Sequence, residues 1–109
     1  MLIDFSAMAE TTIPHLNNGE GIVSAKMFMQ PNVKVMISRL PVGSSIGLHQ
    51  HTSSYELNYV LSGSGIAICD GVEEALSVGT CQYCPQGSSH SLINSGKTDL
   101  VLFTVVPEQ

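Results

Sequence analysis

Basic residues are scarce in this chain: four Lys and Arg stand against nine Asp and Glu in 109 residues, a formal charge of −5. An acidic surface without a Lys/Arg cluster repels phosphate, so neither nucleic acid nor an anionic membrane surface is expected as a partner. No apolar run approaches the ~18 residues that a membrane-spanning helix needs. The opening Met1-Leu2-Ile3-Asp4-Phe5-Ser6 has no basic region and no long apolar core, so it does not read as a secretory leader, and the cytoplasm is the expected location. Three cysteines are an odd number and too few for a disulfide framework. Internal repeats, low-complexity tracts and linkers are missing, and no window carries a helical stripe over three turns apart from a weak one near the N-terminus.

What is present is an ordered globular composition, 43% hydrophobic and 12% charged, in a chain sized for one domain. Turn formers recur at short intervals, among them Asn17-Asn18-Gly19, Gln30-Pro31-Asn32, Pro41-Val42-Gly43, Asp70-Gly71, Pro85-Gln86-Gly87 and Asn94-Ser95-Gly96. Between them, 33–40, 57–61, 66–69 and 100–106 are rich in Val, Ile, Leu, Tyr and Phe and read as strands. Asp70-Gly71 predicts a tight hairpin turn. Many short strands with regular turns imply an all-β sandwich or barrel. Residues 1–20 read as an N-terminal arm packing on the domain or on a partner, and residues 21–109 as a single β-barrel domain.

The residues that carry chemistry begin at Gly43. His49 and His51 are two positions apart, so on a strand both imidazoles leave the same face. Thr52-Ser53-Ser54 is a polar segment able to reverse the chain, which lets Glu56 return beside them on the adjoining strand. Pro85 and Gly87 permit a sharp bend that delivers His90 at the start of another strand. Three imidazoles and a carboxylate converging in a β scaffold make a site for one divalent transition metal. Mn²⁺ and Fe²⁺ are favoured for the mixed nitrogen and oxygen set, and Ni²⁺, Cu²⁺ and Zn²⁺ also bind such ligands. An octahedral ion with four protein ligands keeps two positions for water, O₂ or substrate.

Segments 43–63 (GSSIGLHQHTSSYELNYVLSG) and 79–94 (GTCQYCPQGSSHSLIN) resemble the two motifs of the cupin family, separated by a short spacer, 64–78. Together they span about half the chain. The resemblance implies a double-stranded β-helix, or jelly-roll barrel, with His49, His51, Glu56 and His90 as metal ligands. It also implies a homodimer, as in many small cupins. Reaction does not follow from it, because one fold hosts many chemistries. Thr80 stands where the family often has aspartate, and Cys84 where an aliphatic residue is usual.

Strand parity adds further expectations. If Glu56 faces inward, so do Asn58 and Val60, while Leu57, Tyr59 and Leu61 face outward and need cover from the arm or a second subunit. Leu92 shares the face of His90. Asn58, Val60 and Leu92 are therefore candidate substrate-pocket residues, and Asn94 a turn former. Cys81 and Cys84 point to opposite faces of one strand, which rules out chelation of a single ion and leaves both as small buried hydrophobes. Met27, Met29 and Met36 read as core filler, and His15 as solvent-exposed. With Arg39 as the one arginine, a pocket gripping phosphate or another dianion is disfavoured. The function this supports is a small metalloenzyme oxidising a small organic substrate in a dioxygenase-like reaction. The alternative is a non-catalytic cupin that binds or senses a small ligand.

Overall fold

The computed structural model describes residues 1–108. Ten strands follow in order: β1 (Thr11–Pro14), β2 (Ile22–Gln30), β3 (Val33–Leu40), β4 (Ser45–Gln50), β5 (Glu56–Ser62), β6 (Gly65–Cys69), β7 (Val72–Leu76), β8 (Cys81–Cys84), β9 (Ser89–Ile93) and β10 (Leu100–Pro107). All pair antiparallel, in a six-stranded sheet β1-β2-β3-β10-β5-β8 and a four-stranded sheet β4-β9-β6-β7. From β3 onward consecutive strands, apart from the β6–β7 hairpin, alternate between the sheets, giving the all-β jelly roll. The four apolar runs read as strands are β3, β5, β6 and β10. Asp70 and Gly71, at φ 48° and 81°, join β6 to β7, the doubly positive turn that matches strand twist. β7 (VEEAL) is exposed at four of its five positions and carries two adjacent glutamates, which hides it from a hydrophobicity-based reading. No helix among the described residues is long and apolar enough to cross a membrane.

Inward residues change character along the barrel, and this positions the site. Leu40, Leu100, Leu102 and Val60 of the large sheet meet Ala67, Leu76 and Leu92 of the small one in a fully enclosed aliphatic core. One ladder step further, Met27, Met36, Thr104, Asn58 and Gln82 form a cross-strand row. The core plugs one end of the barrel, and the other end holds a cavity.

Before β2 the chain makes two short 3₁₀ turns. Phe5–Ala7 sets Phe5 edge-on to Phe103, ring centroids 6.4 Å apart, on the outside of the large sheet. Leu16–Asn18 sends Leu16 against the core. That second turn lies so close to β4 that a Cβ on Gly47 would meet the Asn17 carbonyl, and one on Gly19 the Ser45 carbonyl. Two glycines thus bring main chain against main chain beside the histidine-bearing strand. Phe5 covers Phe103 but leaves Tyr59, Leu61 and Tyr83 exposed on the same outer face.

Candidate metal centre

His49 lies on β4, His51 just beyond its end, Glu56 at the start of β5 and His90 on β9, paired with His49. The turn through Pro85–Ser88, closed by Ser88 N–H donating to the Pro85 carbonyl at 3.1 Å, feeds β9, with Gly87 at φ 89°. The chain between His51 and Glu56 reverses as its polar residues suggest. The structure therefore brings the four side chains together, with one ligating atom from each inside a span of 4.8 Å.

The hydrogen bonds on the far side of each ring decide what faces the centre. His49 Nδ1 is 2.8 Å from the Gly47 carbonyl, which can only accept, so Nδ1 carries the proton and Nε2 presents its lone pair. His90 Nδ1 donates to Gln82 Oε1 at 2.9 Å, while Gln82 Nε2 donates to the Tyr83 carbonyl and to Glu74. His51 Nδ1 is 3.1 Å from Ser54 Oγ. The three Nε2 atoms converge, with His90 3.1 Å from both His49 and His51, and the Glu56 oxygens lie 3.2 Å from His51 and His90.

Four electron-pair donors in mutual contact repel one another unless protons or a cation sit among them. Adjacent ligands of an octahedral ion at about 2.1 Å are about 3.0 Å apart, and those of a tetrahedral ion about 3.4 Å. The observed edges of 3.1–3.2 Å fall between these two values, so the donor set fits a divalent ion. The electrostatics agree. Burial, reinforced by the neighbouring imidazoles, pulls the His49 pKa down and favours the neutral ligand form. Burial alone would push Glu56 up, but its close polar neighbours His51, His90 and Asn58 outweigh it and hold the carboxyl well below the usual range. Asn58 Nδ2 donates to Glu56 Oε2 at 2.7 Å, and Thr104 Oγ1 donates to Asn58 Oδ1 at 2.6 Å.

His49, His51 and Glu56 also line a cavity of about 300 Å³, together with Asn58 and Thr104. His90 is fully buried behind them. Val60 and Leu92 share the inward faces of Glu56 and His90, but both belong to the sealed core and neither borders the cavity. Met27, Met29 and Met36 form cavity wall, with Met29 half exposed, which corrects their reading as core filler. The sheets stand apart at that end, so the thioethers meet space instead of an opposing side chain.

Cys84 is buried and Cys81 exposed, on opposite faces of β8. Cys81 is thus not a buried hydrophobe, because the outer face of edge strand β8 has no cover. Burial first, with the neighbouring Cys69 adding, pushes the Cys84 thiol up to about 12. Asn94 is a buried turn organiser, its amide donating to the Leu40 and Thr98 carbonyls and its Oδ1 accepting from Gly96 N–H. His15 is exposed, at φ 50°. The sequence reading did not single out Gln82, Ser54 and Thr104, which orient His90, His51 and, through Asn58, Glu56. Gln82 was within reach of parity, lying two positions from Cys84 on the inward face of β8.

A jelly roll carrying three histidines and a glutamate at one open end defines a class of metal-binding barrel. The family model described as Cupin domain matches residues 36–106, and the chain belongs to that family. It is 30% identical to the oxalate-binding protein of Thermotoga maritima, over 97% of this chain and 93% of the relative. The crystal structure of a predicted oxalate decarboxylase from Thermotoga maritima superimposes with a TM-score of 0.94 at 28% identity, covering 100% of both chains. The Cnp3 cupin domain of Schizosaccharomyces pombe shares the fold, with a TM-score of 0.81 at 11% identity over 100% of this chain and 74% of that one.

Proposed function

We infer that the chain is a mononuclear metalloenzyme that binds a small organic acid at its metal centre and oxidises it with O₂. The observation that carries this reading is the placement of three of the four ligand residues on a cavity wall, so that positions left open by the protein face a space large enough for substrate. A bound Mn²⁺ or Fe²⁺ would supply coordination positions and one-electron redox chemistry there. The chain's own residues do the rest. Gln82, the Gly47 carbonyl and Ser54 orient the imidazoles. Asn58 holds one Glu56 oxygen, so the carboxylate keeps a hydrogen bond if the other oxygen swings aside for substrate. The test is oxygen uptake by metal-loaded protein across a panel of organic acids, with Glu56→Gln as the control. Acid-dependent uptake lost in the variant supports the reading.

The second reading is a non-catalytic binding module, favoured by the oxalate-binding name of the relative with 30% identity. It predicts oxalate-dependent stabilisation of the metal-loaded protein with no oxygen uptake. In either role the chain is proposed to act as a homodimer, with Tyr59, Leu61 and Tyr83 of the outer face as the surface still in need of cover. Sedimentation equilibrium checks this, and a monomer at micromolar concentration contradicts it.

A further inference from the structure

The cavity beside the metal centre is built for more than a two-carbon dianion. At about 300 Å³ it falls at the lower end of the ~300–1,000 Å³ typical of small-molecule pockets. Apart from the ligand residues its walls are mainly aliphatic and thioether, with Met27, Met36, Val23 and Ile46 among them. Oxalate has no carbon–hydrogen surface to bury against such walls, and would leave them facing water.

Two polar features set limits on what fills this space. Lys34 is the one cationic side chain lining the cavity, and among the described residues it forms no ion pair. With a divalent ion held by the single Glu56 carboxylate, Lys34 leaves the cavity net positive, which suits an acid. Ser38 is the second feature. It is only 5% exposed, it lines the cavity, and among the described residues its hydroxyl has no hydrogen-bond partner. No fully enclosed side-chain polar atom among the described residues lacks a partner, so the unpartnered Ser38 hydroxyl is one that the cavity reaches. Ser38 pairs across the sheet with Ala25 and Leu102, one ladder step deeper than Met27, Met36 and Thr104, on the core side of the row nearest Glu56. A hydroxyl kept free at that depth, in apolar surroundings, is a recognition group for a polar atom on the far end of a ligand.

We propose that the ligand is an organic acid with an apolar carbon skeleton and a hydrogen-bonding tail. Its carboxylate sits at the metal end, its skeleton lies on Met27 and Met36, and its tail reaches Ser38. This rests on the metal-centre reading above and names the ligand class for it.

The experiment is isothermal titration of Mn²⁺-loaded protein with acetate, butyrate, hexanoate and oxalate, and with phenylacetate against 4-hydroxyphenylacetate. Burying one methylene is worth about fourfold in affinity. Hexanoate is therefore expected to bind more than tenfold tighter than acetate, and Met36→Asn to reduce that ratio without weakening acetate. The hydroxyl of 4-hydroxyphenylacetate is expected to improve binding in wild type and not in Ser38→Ala. A hexanoate-to-acetate ratio below tenfold overturns the apolar subsite, and an equal hydroxyl gain in Ser38→Ala overturns the role of Ser38. Thermal melts establish that each variant is folded, and Met27→Asn replaces Met36→Asn if the latter is not. Failure of the protein to take up Mn²⁺ is seen before any acid is added, so it overturns the metal reading separately.

Discussion

His90 and Gln82 are a buried pair: the imidazole Nδ1 donates to the amide Oε1 at 2.9 Å, from a ring with no exposure to solvent. That bond fixes which nitrogen of His90 faces the other three ligands. Replacing Gln82 with Met keeps the volume and removes the acceptor. Metal affinity should fall by about 10–100-fold, as outer partners of ligating histidines generally do, and stability by about 1–3 kcal/mol for the orphaned N–H. Chelator competition and urea unfolding measure the two. Unchanged metal affinity would mean that His90 needs no such support.

The Thr104–Asn58–Glu56 chain makes a matching prediction for the carboxylate ligand. Asn58→Leu leaves the Thr104 hydroxyl without its acceptor and removes the amide hydrogen bond to Glu56 Oε2. Metal binding should weaken by about 10-fold or more, while Thr104→Val, one link further away, should have the smaller effect. The reverse order would show that the chain does not act through Glu56.

Gly47 and Gly71 separate positioning from turn strain. A Cβ at Gly47 meets the Asn17 backbone, so Gly47→Ala must displace either the 16–18 turn or β4, whose Gly47 carbonyl orients His49. Gly71→Ala meets nothing within 4 Å and suffers only its positive φ, a cost of about 1–2 kcal/mol. Loss of metal affinity is expected in the first variant and not in the second. Equal losses in both would contradict the part assigned to Gly47.

The three thiols should react in order of access. Cys81 is exposed, Cys69 is intermediate with its pKa raised by burial, and Cys84 is buried with a thiol pushed up to about 12. Iodoacetamide at pH 8 should therefore modify Cys81 first and Cys84 only on unfolding. Rapid labelling of Cys84 in folded protein, read by peptide mass spectrometry, would contradict the packing around β8.

Much of this was legible in the chain because a strand has a period of two. His49 and His51 reveal a shared face by spacing alone, and the alternation Glu56–Asn58–Val60 against Leu57–Tyr59–Leu61 survives in the burial of β5. Depth was not legible. Parity says that Val60 and Leu92 point inward, but whether an inward side chain meets the core or the cavity depends on how far apart the sheets stand at that level. For the same reason Met27 and Met36 suit a core and a pocket wall equally well. Gln82 escaped notice because an amide on a four-residue strand carries no pattern of its own. Its meaning appears only when β8 and β9 bring it beside His90.

The most direct measurement is the metal content of reconstituted protein, by elemental analysis, for wild type and for the His49→Ala/His51→Ala variant. One divalent ion per wild-type chain, absent from a variant that remains folded, is the expected result. A wild type that binds no ion, or a folded variant that still holds one per chain, would contradict the assignment of His49, His51, Glu56 and His90 as a single metal centre.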